Sequence, residues 1–182
     1  MNIPSIPYNI SDKLKAICDE ISCSNGYILF SNNKIEDNIY IIKQGIARAY
    51  IESGGKDITI WFGQENDIII SANGYVKGEK GYETMELLED SILYKINLIQ
   101  LTELYKHDIK VCNWARQLIE KEFVRTEHHL ISVLSMAATE RYAQLLNEKP
   151  KILQRVQLQY IASYLGITPE HLSRIRAKKP TY

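Results

Sequence analysis

The sequence predicts an α+β chain in three parts: an antiparallel double-stranded β-helix (jelly roll), one long helix, and a small all-α unit carrying a helix-turn-helix. Three observations predict it. Short β-rich runs separated by turn residues occupy positions 26–96, the hydrophobic period then becomes helical, and positions 158–177 fit a two-helix corner at every demanding place. The expected boundaries are 1–107 for the roll, 108–136 for the long helix and 137–182 for the terminal unit. With 182 residues and 45% hydrophobic content, the chain can hold one medium and one small domain, each with its own core.

The roll begins with a strand at 27–30, followed by a run over 38–47 with Gly45 inside it and a further strand at 48–51. Ser53-Gly54-Gly55 is a tight turn returning into a strand at 57–62, which is a hairpin signal. Strands at 67–70, 82–89 and 91–96 complete the roll. The stretch 63–81 is left as the longest loop-rich region, and long connections often carry function.

From position 98 the pattern is helical, first over 98–105 and then over 108–136. Cys112, Ala115, Ile119, Phe123, Thr126, Leu130, Val133 and Ala137 recur every three or four residues and line one stripe of the long helix. At ~1.5 Å per residue that helix is roughly 43 Å long, more than a small roll can cover. Part of the stripe is therefore expected to meet a second copy in a two-stranded coiled coil; packing on the chain's own roll alone is the plainer alternative. A further helix at 137–146 follows, and Pro150 is expected to end it.

In the terminal corner Ile161 and Leu165 face Leu172 and Ile175, with Ile167 plugging the bend. Ala162 allows a close helix crossing, and Gly166 suits a turn with positive φ. Thr168 can cap the second helix, Pro169 suits its first position, and Glu170 suits the positive end of its dipole. An ordinary αα-hairpin could show the aliphatics and the glycine, but not the full pattern. Charge supports a phosphate-binding module. From position 150 onward six bases (Lys151, Arg155, Arg174, Arg176, Lys178, Lys179) face one acid, Glu170, a net +5 in a chain whose total is zero.

The chain contains no apolar run of about eighteen residues, and its start lacks the basic-then-apolar order of a secretory signal, so a cytoplasmic protein without membrane attachment is expected. Cys18, Cys23 and Cys112 are odd in number and lack a C-x-x-C pair, as expected for reduced thiols buried in apolar surroundings.

The order of helix, β-roll, long helix and terminal helix-turn-helix resembles the Crp/Fnr family of bacterial transcription regulators. The marks of the resemblance are Gly45-Ile46-Ala47-Arg48, Thr59-Ile60-Trp61-Phe62, Leu87-Leu88-Glu89-Asp90-Ser91, Glu140-Arg141-Tyr142 and the corner itself. The resemblance implies a cyclic-nucleotide-binding-type roll acting as sensor, a dimerising long helix, promoter DNA as partner and, with it, RNA polymerase. It also implies that Glu170 and Arg174 read base edges. Their chemistry suits that role, since a guanidinium can donate to guanine O6 and N7 while a carboxylate accepts from cytosine N4. Thr168, His171, Ser173 and Lys178 are expected to contact phosphates or flanking positions.

Two departures shape the expectations. Nucleotide-binding members hold the cyclic phosphate with an Arg-Ser pair, whereas Lys80-Gly81-Tyr82-Glu83-Thr84 has no arginine there and carries a carboxylate. Lys77 or Lys80 offers only a point charge, so cyclic AMP is not expected as the effector. The candidates for an unidentified effector are Glu65, Tyr82, Glu83, Thr84 and, on the long helix, Arg116. After Arg176 only six residues remain, which resembles the short, wingless subgroup of the family.

Other chemistries are poorly supported. Three cysteines at this spacing do not make an iron–sulfur site, and 24–106 holds neither His nor Cys for haem or a cupin-type metal. His128 and His129 are adjacent on a helix, point about 100° apart, and are expected to be solvated rather than metal-binding. No catalytic motif appears, so an enzyme is not expected. The rival to a DNA reader is a ligand-binding or protein-interaction module whose terminal hairpin no longer contacts DNA.

Overall fold

A computed structural model describes residues 8–177. Helix α1 (Tyr8–Lys15) leads into eight strands: β1 (Cys18–Cys23), β2 (Ile28–Phe30), β3 (Asn38–Gln44), β4 (Ala47–Ser53), β5 (Lys56–Gly63), β6 (Ile68–Ile69), β7 (Thr84–Leu87) and β8 (Ser91–Asn97). They form two four-stranded antiparallel sheets, ordered β1-β8-β3-β6 and β2-β7-β4-β5. Helices α3 (Leu98–His107) and α4 (Ile109–Ser135) follow, and α5 (Ala138–Glu148), α6 (Pro150–Arg155), α7 (Leu158–Tyr164) and α8 (Pro169–Ala177) close the described chain.

Strand β3 explains its own uninterrupted apolar run. Tyr40 and Ile42 point between the two sheets, onto Ala47, Ala49, Leu87 and Leu93, whereas Ile39 and Ile41 point outward. There they meet a helical layer built from Leu14, Leu101, Val111 and Trp114, so the strand is buried on both faces. The hairpin between β4 and β5 turns through Gly54 (φ +59) and Gly55 (φ +73), the paired positive angles that match the strand twist.

Several expectations need correction. The run over 38–47 is two strands, because Gly45 takes φ +123 and a side chain there would collide with Ser91. The loop-rich 63–81 region contains a short helix, α2 (Ala72–Lys77), whose Asn73 and Gly74 disguise it. Gly74 is required by contact, since a Cβ would fall 2.8 Å from the carbonyl oxygen of Glu36. Strand β1 went unassigned because it is an edge strand with exposed Asp19 and Glu20, ordered by its pairing with β8. Pro150 does follow the end of α5, but it also opens α6, where its missing N–H needs no partner.

The terminal helices do not own a separate core. Ile46 and Phe62 of the roll, each 1% exposed, lie in the same apolar cluster as Leu145, Ile152, Ile161 and Leu172. On α4 only the first half of the stripe is covered: Val111, Trp114 and Ala115 are buried, while Phe123 is 69%, Leu130 57% and Val133 41% exposed. Asp108 starts this helix, its carboxylate accepting from the N–H groups of Lys110 at 2.8 Å and Val111 at 3.3 Å.

Candidate nucleic-acid interface and effector cavity

The corner between α7 and α8 is built from local bonds. Gly166 takes φ +66; its N–H donates to the Ser163 carbonyl and that of Ile167 to the Ala162 carbonyl, each at 3.0 Å. This double closure satisfies the end of α7 as only a residue tolerant of positive φ allows. The Thr168 hydroxyl accepts from the His171 N–H at 3.2 Å, capping α8. Ile161, Ala162 and Leu172 are fully buried at the crossing. Arg141 of α5 donates to the Leu165 carbonyl at 2.7 and 3.1 Å and to the Met136 carbonyl at 2.6 Å, tying the corner to the end of α4.

With Leu172 and Ile175 turned inward, α8 presents Glu170, His171, Ser173, Arg174 and Arg176 to solvent, beside Thr168. Glu170 and Arg174 are one helical turn apart on that face. The Glu170 carboxyl is held below the usual range by its own backbone N–H, then by the Thr168 hydroxyl, with Arg174 adding attraction. Among the described residues Arg174 and Arg176 form no ion pair, and both are exposed. Lys178 lies outside the described residues.

Lys149, Lys151 and Arg155 face the roll. Arg155 grips Glu65 at 2.8 and 3.1 Å and also binds Glu89, while Lys151 stands 4.0 Å from Glu65. Lys149 pairs with Asp67 at 2.8 Å. These contacts correct the reading of the whole +5 as a phosphate-binding surface, because Arg155 is already neutralised within the molecule. Helix α7 docks on β5: the Ser163 hydroxyl accepts from the Thr59 N–H at 2.9 Å and donates to the Asp57 carbonyl at 3.1 Å. His129 of α4 stacks on Tyr164 with centroids 4.2 Å apart, so it is not solvated as expected. Burial, with Arg125 and Arg141 nearby, holds its ring below the ordinary imidazole range.

Between the roll, α4 and the corner lies a largely apolar cavity of about 700 Å³. Ile60, Trp61, Ile70, Tyr75 and Met85 line it from the roll side, Phe123 and Leu130 from α4, and Ser163, Tyr164 and Gly166 from the corner. An occupant therefore touches the roll, the long helix and the helix-turn-helix at once. Among the described residues no group of three or more His, Cys, Asp or Glu could hold a metal ion. Cys18, Cys23 and Cys112 are free and half-buried, and burial beside Asp19 and Glu20 pushes the Cys18 thiol up to about 11.

The family model of the cyclic nucleotide-binding domain matches residues 20–108. The transcriptional regulatory protein btr of Bordetella pertussis is 22% identical, across 93% of this chain and 75% of the relative. The solved structure of FixK2 from Bradyrhizobium japonicum superposes with a TM-score of 0.80 at 20% identity, covering 89% of this chain and 84% of that one. The c-di-GMP responsive global regulator CLP of Xanthomonas campestris gives a TM-score of 0.75 at 13% identity, with 94% and 91% covered. Residues 20–108 thus match a cyclic nucleotide-binding domain, and nearly the whole chain shares the fold of these structures.

Within the chain the five expected effector residues separate. Tyr82 and Glu83 line the cavity, Tyr82 largely exposed and Glu83 buried. Glu65 instead holds Arg155 and accepts from the Gly45 N–H, and the Arg155 guanidinium pulls its carboxyl down to about 2. Thr84 sits on β7 opposite Tyr50, and Arg116 is exposed on α4, paired with Glu120; neither lines the cavity. Lys77 and Lys80 are exposed and do not line it. Sequence reasoning missed the α7 wall of the cavity, for which positions 163–166 carry no signal beyond the turn. It also missed Arg48, a buried cation bound to Glu86 at 2.7 Å and Asp57 at 3.1 Å.

Proposed function

We propose that this chain is a transcription regulator of the Crp/Fnr type, a homodimer that binds DNA sequence-specifically and whose β-roll houses an effector site. The observation that carries the reading is the outer face of α8, where Glu170 and Arg174 stand exposed and a turn apart while Leu172 and Ile175 anchor the helix from behind. That is the placement a major-groove reader needs. Thr168, His171 and Ser173 flank it as phosphate contacts that set register, a role also assigned to Lys178, which lies outside the described residues. The exposed Phe123, Leu130 and Val133 of α4 supply the surface for a second copy, and two copies carry two reading helices to paired half-sites.

Promoter duplex, and RNA polymerase recruited beside it, are the partners of this reading, and the cytoplasm its compartment. Among the described residues no helix is long and apolar enough to cross a membrane. The effector acts from the cavity, because a molecule there contacts the roll and the corner together and favours whichever arrangement of the two binds it better. The test is fluorescence-anisotropy binding to promoter-derived and scrambled duplexes at two salt concentrations. A preference for one sequence with a clear salt slope supports the regulator; absence of DNA binding at every salt concentration favours the protein-interaction module instead.

A further inference from the structure

At the roll end of the cavity stands Glu83, and next to the lining residues Ile70 and Ala72 lies Ser71; both are buried polar groups. Glu83 is 4% exposed, and one carboxylate oxygen accepts from the Tyr82 N–H at 3.0 Å. Among the described residues it has no ion pair. Ser71, 2% exposed, heads α2 without capping it, and its hydroxyl finds no hydrogen-bond partner among the described residues. A buried carboxylate without a cation and a buried hydroxyl without a partner are both costly, and native proteins keep few of them.

Gly81 shows where the two groups converge. A Cβ on this residue would fall 2.6 Å from the Ser71 oxygen and 3.1 and 3.2 Å from the two Glu83 carboxylate oxygens. Ser71 and Glu83 therefore converge on the same face of Gly81, and a side chain on that residue would intrude between them. Such a cradle of acceptors suits a nitrogen bearing several protons. It repels a phosphate, and among the described residues no lysine or arginine lines the cavity to offset the carboxylate.

We infer that the effector is an organic cation, an ammonium or guanidinium head on an apolar body, with its head between Glu83 and Ser71 and its body along Ile60, Trp61, Ile70 and Met85. The charged nitrogen donates to the Glu83 carboxylate and to the Ser71 hydroxyl oxygen, supplying the counter-charge the buried carboxylate lacks. The body fills a cavity of about 700 Å³, large enough for a drug-sized molecule. The apolar end reaches Phe123 on α4 and Tyr164 on α7, so the same molecule that neutralises the roll also touches the helix-turn-helix. The inference rests on the reading of the cavity as an effector site, but its test contains no DNA, so either can fail alone.

The experiment is a thermal-shift titration of the full chain with octylamine, octanol and octanoate as chain-matched probes, and with cyclic AMP. Octylamine is expected to raise the melting temperature in a saturable way, whereas octanoate and cyclic AMP leave it unchanged and octanol acts at least tenfold more weakly. Glu83→Gln is expected to lose at least tenfold in octylamine affinity while the ligand-free variant melts higher than the parent, because an unpaired buried charge has gone. Ser71→Ala, which removes only the second acceptor, is expected to weaken octylamine several-fold without unfolding the chain. Octanol equal to octylamine, retention of amine affinity in both variants, or stabilisation by cyclic AMP would each overturn the proposal.

Discussion

The guanidinium of Arg48, on strand β4 of the roll, lies 3.7 Å from the ring centroid of Tyr160 on the first helix of the terminal corner. Arg48 is 3% exposed and holds Glu86 and Asp57 at the same time. One buried cation therefore joins the sensor-type roll to the helix-turn-helix.

Arg48→Ala is expected to cost about 3 kcal/mol, because two carboxylates lose their cation and Glu86 stays mostly buried. Tyr160→Leu keeps those pairs and loses only the cation–π contact, about 1 kcal/mol. Urea denaturation of both variants measures the difference, and similar losses would mean that the ring, not the charge, organises the docking.

Acid should release the contact between Arg155 and the roll. The Glu65 carboxyl is lowered from an ordinary 4.5 to about 2, so its contribution is complete above about pH 5 and is lost as pH falls toward 2. Glu65→Gln should flatten that limb of the stability curve and lower stability at neutral pH. Urea midpoints measured from pH 2 to pH 7 report both effects.

On DNA, Arg174→Ala is expected to relax preference at one base position, a loss of about 1–3 kcal/mol for the preferred site. Lys178→Ala should weaken all sequences alike and lower the salt slope by about one. Binding-site selection separates them: an unchanged motif in Arg174→Ala would remove this residue from base reading.

The exposed half of the α4 stripe should dissociate when charged. Phe123→Glu combined with Leu130→Glu is expected to give a folded monomer by sedimentation, with helical content unchanged, because both side chains already face solvent in the single chain. Binding to a paired half-site should fall with the loss of the dimer.

Gly166→Ala places a Cβ at φ +66 and should destabilise the chain by about 1–2 kcal/mol. The nearest atom to that Cβ is an Arg141 nitrogen at 3.9 Å, so the cost is conformational rather than steric. Thermal melts of this variant and Gly166→Asn, which tolerates that φ better, distinguish the two origins.

Features governed by near neighbours were legible in the chain itself. The corner could be read because Gly166, Thr168, Pro169, Leu172 and Ile175 answer to partners within about two helical turns. The same holds for the Gly54-Gly55 hairpin and for the start of α4 at Asp108. The candidate effector residues fare differently. Tyr82 and Glu83, drawn from the resemblance, line the cavity, whereas Glu65, a carboxylate of the same chemistry, belongs to Arg155 90 residues away.

The sequence by itself determined the succession of roll, long helix and terminal corner, the turn and cap that start α8, and the absence of an arginine from positions 80–84. Each follows from residue type at short spacing. Only the tertiary structure decided that Ile46 and Phe62 share a core with the terminal helices, that Arg155 is spent on Glu65 and Glu89, and that Ser71, Gly81 and Glu83 converge on one point. Those facts depend on which distant segments the folded sheets bring into contact, and burial and charge pairing are properties of that packing rather than of any residue alone.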